Sequence, residues 1–178
     1  MITIDRARTT LLVVDLQQRL MPAIDGAKDV LANTGRLIEA AKKFGVPAMV
    51  TEQYPRGLGP TVAELAVDGM PKLAKMDFDA TRAAGFFEML PKDRPDFLVC
   101  GCEAHVCVLQ TVLGLLDGGH NVHVVRDAIG SRRAESKETA IERMRGHGAG
   151  IVTTEMALFE WLGTAADPHF REISVLRR

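Results

Sequence analysis

DFLVCGCEAHVCVLQTVLGLLDGGHNVHVV, Asp96 to Val125, is the stretch on which the fold turns. It opens with a short apolar run, DFLVCG (Asp96–Gly101), too brief for a helix and suited to a strand buried on both faces. From Cys107 onward, Val108, Val112, Leu115 and Leu116 recur at the step of an amphipathic helix. DGGHNV then stops that helix with glycine, the residue that most readily takes the left-handed closing position. A second apolar run, NVHVV (Asn121–Val125), follows at once. Strand, helix, glycine stop and strand form the βαβ unit of a parallel sheet.

The same punctuation recurs on either side. KKFGVP and GHGAGIV also end a helix in glycine and lead into a strand, although the units share no repeated sequence. Further strands are read at TLLVVD (Thr10–Asp15), VPAMVT (Val46–Thr51) and GIVTT (Gly150–Thr154), with a weaker sixth at PKLAK (Pro71–Lys75). Val30, Leu31, Thr34, Leu37, Ile38, Ala41 and Phe44 mark one long helix between the first two. The expected architecture is a doubly wound, mostly parallel α/β sheet of about six strands with helices on both faces. With 178 residues there is chain enough for one core, so residues 1–178 are read as a single domain. Glu52 to Pro71, rich in proline and glycine, is the one long irregular region, the kind that is commonly functional or mobile.

Composition narrows the function. The net charge is −1, with no basic excess to track nucleic acid and no apolar run long enough for a membrane span. The start, MITIDRARTT, lacks the apolar centre of a signal peptide, and three clustered cysteines make a poor disulfide framework. A cytoplasmic protein is expected.

Ligands of such sheets bind beyond the carboxyl ends of the strands. The polar groups expected there are Asp15, Glu52, Gln53, Lys75, the segment Gly101–Cys107, Arg126 and Asp127. Cys100, Cys102, His105 and Cys107 offer metal-ligand chemistry, but no second ligand pair follows downstream to close a site. A CxC in a strand is also a poor redox pair. Cys100 and Cys102 read as buried sulfur. Cys107 lies in or near the first turn of its helix, where unpaired N–H groups favour a thiolate, and Lys75 and Asp15 share its rim. A reactive thiol and an ordinary buried one both remain open for Cys107. His105 is two residues away and off its helical face.

LLVVDLQ with Asp15, LAKMDFDA with Lys75 and VCGCEAHVCVLQT with Cys107 resemble the isochorismatase-like cysteine hydrolase superfamily, which includes nicotinamidases and N-carbamoylsarcosine amidases. TEQYPRGLGPTV is similar to its isochorismatase-domain-containing branch. The resemblance implies Cys107 as nucleophile, Asp15 as proton acceptor and later donor, and Lys75 as the cation beside the thiolate. It further implies a cis peptide at Cys102–Glu103, with the Glu103 and Cys107 N–H groups forming an oxyanion hole. From their place in the motifs, Gln17, Gln53, Tyr54 and Phe78 are expected to bound the substrate pocket. No histidine precedes His105, so the metal-binding pattern of the nicotinamidases is missing and neither metal nor cofactor is expected.

The functional expectation is hydrolysis of a small amide-type C–N bond through a Cys107 acyl-enzyme, in a homo-oligomer acting on a small molecule, with no nucleic acid or membrane partner. The alternatives are an isochorismatase-type vinyl ether hydrolase and a catalytically silent partner-binding scaffold. For the scaffold, EQYPRGLGP and FREISVL would supply contacts.

Overall fold

The structure is a computed structural model that describes residues 3–176. Six strands, β1 (Thr9–Val14), β2 (Ala48–Gln53), β3 (Lys72–Lys75), β4 (Asp96–Cys102), β5 (Asn121–Gly130) and β6 (Gly150–Val152), form one sheet in the order β3-β2-β1-β4-β5-β6. Every neighbouring pair is parallel. The helices are α1 (Ala27–Phe44), α2 (Pro55–Leu58), α3 (Leu109–Asp117), α4 (Ala134–Gly146), α5 (Thr154–Leu162) and α6 (Phe170–Leu176). A π-helical turn, Ala104–Val108, leads into α3.

Because both faces of a parallel sheet are covered, the central strands carry no polar face. All residues of β1 and β4 are buried. Leu11, Val13, Leu98 and Cys100 meet α1, α5 and α6 on one side. Leu12, Val14, Val99 and Phe97 meet α3 and α4 on the other. Each fully buried leucine or valine here stabilises by about 1.5–3 kcal/mol relative to exposure. Gly45 ends α1 at φ 66°, returning its N–H to Ala41 and Lys42. The chain runs outward from β1 to β3 and then crosses back to β4, so strand order reverses between β1 and β4. The crevice beyond their carboxyl ends is the switch point.

Gly101 is what lets β4 lie against β1 there. Its φ is +123°, and a Cβ at this position would stand 2.0 Å from the Val14 carbonyl oxygen.

Several expected boundaries move. The second strand starts at Ala48 and runs to Gln53, so Glu52 and Gln53 are its last residues. The fifth strand continues to Gly130, because a register shift between Val99 and Gly101 lets Ile129 and Gly130 pair again with β4. Arg126 and Asp127 therefore lie within the strand, away from its end. Asp127 accepts hydrogen bonds from the Thr154 N–H and hydroxyl and caps α5. The sixth strand stops at Val152, and Thr153 becomes the N-cap of α5. The Glu52–Pro71 region is less irregular than expected. It holds α2 and a bridge between Gln17 and Thr61, and Glu52 binds both the N–H and hydroxyl of Thr61. FREISVL forms α6, with Ile173 buried.

Candidate active site

Asp15 follows β1 directly, its N–H bonded to the Thr51 carbonyl at 3.1 Å. Its backbone takes φ 49°, a left-handed conformation that a non-glycine residue adopts at a cost of roughly 1–3 kcal/mol. Lys75 closes β3, two strands away, and its long stem spans the gap. Lys75 Nζ lies 2.8 Å from Asp15 Oδ2, and both side chains are fully buried. The ammonium also donates to Gln53 Oε1 at 2.7 Å and the Asp77 carbonyl at 3.3 Å. The Thr51 hydroxyl donates to the other carboxylate oxygen, Asp15 Oδ1, at 2.6 Å. A buried charge pair needs such additional hydrogen bonds to offset its desolvation.

Cys107 sits in the π-turn at the end of β4, 6% exposed, and close enough to Asp15 and Lys75 to feel both charges. The expected thiolate is corrected here. Burial and then the Asp15 carboxylate push the Cys107 thiol up to about 12, and the opposing pull of Lys75 is weaker. A place near a helix start does not by itself give a thiolate, because desolvation disfavours the charged form. At neutral pH Cys107 is a neutral thiol with a carboxylate beside it. Cys100 is likewise pushed to about 12 by burial, and Cys102 is raised for the same reason. Both lie in the core on the α1 side of the sheet, opposite Cys107.

The peptide between Cys102 and Glu103 is cis. The Glu103 carboxylate faces away to Arg132, accepting from its N–H at 3.1 Å and its Nε at 2.9 Å. His105 pairs through Nδ1 with the Ser131 hydroxyl at 3.0 Å.

Gln17 and Gln53 differ from expectation. Gln17 is fully buried and spends its amide on the Gln53 and Gly59 carbonyls and the Gln53 N–H. Gln53 is buried between Lys75 and the Met76 carbonyl. Both therefore position Lys75 and the adjoining loop, and their side chains are turned inward because a strand-end amide meets the free backbone groups beside it first. Tyr54 and Phe78 are half-exposed at the same rim, so core packing does not account for Phe78. Thr51 and the Glu103–Arg132 pair went unread. The signal for Thr51 was its register opposite Val14, one residue before Asp15. Among the described residues, no group of three or more His, Cys, Asp or Glu is placed to hold a metal ion.

The family model described as the isochorismatase domain matches residues 9–156. The chain belongs to the isochorismatase family. Human isochorismatase domain-containing protein 2 is 39% identical over 171 residues, covering 94% of this chain and 82% of that protein. A Phytophthora sojae relative, the secreted isochorismatase effector Isc1, is 36% identical over 178 residues, covering 94% and 83%. Among solved isochorismatase folds, the MAR1 ribonuclease from Caenorhabditis elegans aligns with a TM-score of 0.92 at 36% identity, covering 98% of this chain and 91% of that one. No helix among the described residues of this isochorismatase-family chain is long and apolar enough to cross a membrane.

Proposed function

We propose that this isochorismatase-family protein is a cysteine hydrolase that opens a small amide-type C–N bond through an acyl-enzyme on Cys107. The observation that carries the reading is the convergence of Asp15, Lys75 and Cys107 at the switch point of the sheet. Three groups from three strand ends, two of them fully buried, are costly to assemble without a use.

Since the resting thiol is neutral, Asp15 acts during attack and not before it. The sulfur bonds to the substrate carbonyl carbon as the thiol proton passes to the Asp15 carboxylate. The negative charge gathering on the carbonyl oxygen is held by the Glu103 and Cys107 N–H groups. Collapse breaks the C–N bond, and Asp15 returns its proton to the leaving nitrogen. Water then adds to the thioester while Asp15 takes a proton from it, and the acid leaves as the thiol re-forms. Lys75 stays charged throughout, holding the carboxylate in place and balancing sulfur in the transition state. Tyr54 and Phe78 line the entrance, and self-association through this apolar rim, with Met76, gives a homo-oligomer.

A thiol that is 6% exposed suits a compact substrate. The name of the nematode neighbour raises RNA as a second substrate class, although a chain of net charge −1 has no general phosphate-tracking excess. The test is a screen of small amides, with a short RNA included, on wild type and Cys107→Ala. Turnover of an amide that disappears in Cys107→Ala supports the reading. Full turnover by the alanine variant, or cleavage of RNA alone, removes it.

A further inference from the structure

At the amino ends of the strands, the opposite end of the sheet from Cys107, lies a cavity of about 410 Å³. Val46 and Met49, both buried, form its inner wall, and the half-buried Met70, Met89 and Leu90 form its rim. Pro47, Pro71 and Pro91 also line it, ahead of β2, β3 and β4. Proline carries no N–H, so these stretches present no unpaired backbone donor. The Pro47 and Pro71 carbonyls are already taken by the N–H groups of Leu11 and Val50, each at 2.9 Å.

Polar side chains enter the lining at Lys42, Asp68 and Thr10. Lys42 and Asp68 are exposed at the mouth and opposite in charge, and the Lys42 ammonium donates to the Ala66 carbonyl at 2.6 Å. The mouth therefore favours neither sign of ligand. Thr10 differs from both. It is 1% exposed, and its buried hydroxyl has no hydrogen-bond partner among the described residues. A hydroxyl so placed is costly until a partner reaches it.

We propose that this cavity binds a small, neutral, mostly apolar molecule bearing one hydroxyl, which pairs with Thr10. A hydroxyl both donates and accepts, so it answers Thr10 in either orientation. The volume falls in the range of small-molecule sites, and three methionines give a wall that adapts to an irregular apolar shape. Thr10 lies behind the rim, so a second copy of the chain could cover the mouth without meeting the hydroxyl. Asp15 stands five residues further along the chain from Thr10, roughly 16 Å at the rise of a strand. The site is thus separate from the reaction centre, and the inference stands apart from the reading of Cys107.

Methyl resonances of methionine read the cavity directly, because Met49, Met70 and Met89 line it and the chain's other methionines serve as controls. Protein labelled with carbon-13 at the methionine methyls, its signals assigned with Met→Leu variants, would be titrated with phenol and benzyl alcohol. Toluene and ethylbenzene, which replace each hydroxyl with a methyl group, would be titrated in parallel. At least one alcohol should shift the Met49, Met70 and Met89 signals saturably and bind about fivefold tighter than its hydrocarbon counterpart. Thr10→Val should abolish that advantage and leave the hydrocarbon's affinity unchanged. The variant should melt no lower than wild type, because the hydroxyl it loses has no partner.

The absence of a saturable shift at these three methyls overturns the site. Equal binding of alcohol and hydrocarbon in wild type, or an alcohol advantage that survives in Thr10→Val, overturns the ligand class. If the same three signals move on dilution of the protein alone, the cavity is an interface between copies and the proposal fails.

Discussion

Replacing Lys75 with methionine keeps the length of the side chain and removes the ammonium that Asp15 faces. In the folded protein Lys75 Nζ makes contacts of 2.8, 2.7 and 3.3 Å to Asp15, Gln53 and Asp77, and neither partner of the ion pair reaches solvent. The variant leaves a buried carboxylate with the Thr51 hydroxyl as its remaining side-chain donor. Breaking a buried pair from one side costs about 3–5 kcal/mol, a large share of the roughly 5–15 kcal/mol that holds a domain folded. At about 2–4 °C per kcal/mol for a chain of this size, Tm should fall by roughly 10 °C. Asp15→Asn alone strands the buried Lys75 ammonium instead and should cost a comparable amount, about 3–5 kcal/mol. The double variant should recover much of the Lys75→Met loss, because no ion is then left unpaired. Thermal or urea unfolding of the four proteins gives the coupling directly. If the two single costs add to within about 0.5 kcal/mol in the double variant, Asp15 and Lys75 do not form a buried pair and the site as described is wrong.

The neutral resting thiol predicts a pH profile. With the Cys107 pKa raised to about 12, the thiolate fraction keeps growing with pH, so iodoacetamide labelling of Cys107 should still be rising between about pH 8 and pH 10. A plateau reached below the free-cysteine value of about 8.5 would show a preformed thiolate. The same shift acts on stability. A raised folded pKa means the fold prefers the protonated thiol, so that contribution is complete below about pH 8.5 and is lost as the pH climbs toward the folded value. Gly101→Ala should destabilise by more than about 3 kcal/mol, since its Cβ would meet the β1 backbone and its φ of +123° excludes a side chain. Circular-dichroism melting checks this, and a wild-type Tm would refute the close approach of β4 to β1.

Much of this arrangement is legible in the chain because strand ends are marked twice, by apolar runs before them and by glycine stops behind. TLLVVD and PKLAK end on the two residues that meet as the Asp15–Lys75 pair, and DFLVCG leads to the turn that carries Cys107. What escaped depends on the third dimension. The extension of β5 through Gly130 follows from a bulge opposite Gly101, which no periodicity announces. Gln17 and Gln53 could have faced a ligand or the protein by spacing alone, and the choice falls to the carbonyls of Gly59 and Met76. The choice between a reactive and an ordinary thiol at Cys107 stayed open because a helix start is visible in sequence, whereas the burial that raises its pKa is not.

The central claim is that Cys107 becomes covalently acylated, and trapping that intermediate tests it most directly. The protein would be mixed with para-nitrophenyl acetate, quenched in acid within the first turnover, and digested for peptide mass spectrometry, alongside Cys107→Ser and Asp15→Asn. The account predicts one acetyl group, on Cys107 and on neither Cys100 nor Cys102, forming far more slowly in Asp15→Asn. It also predicts none on the unmodified cysteines of Cys107→Ser. Acetylation spread over all three cysteines, or release of nitrophenol at an unchanged rate without Cys107, would contradict it.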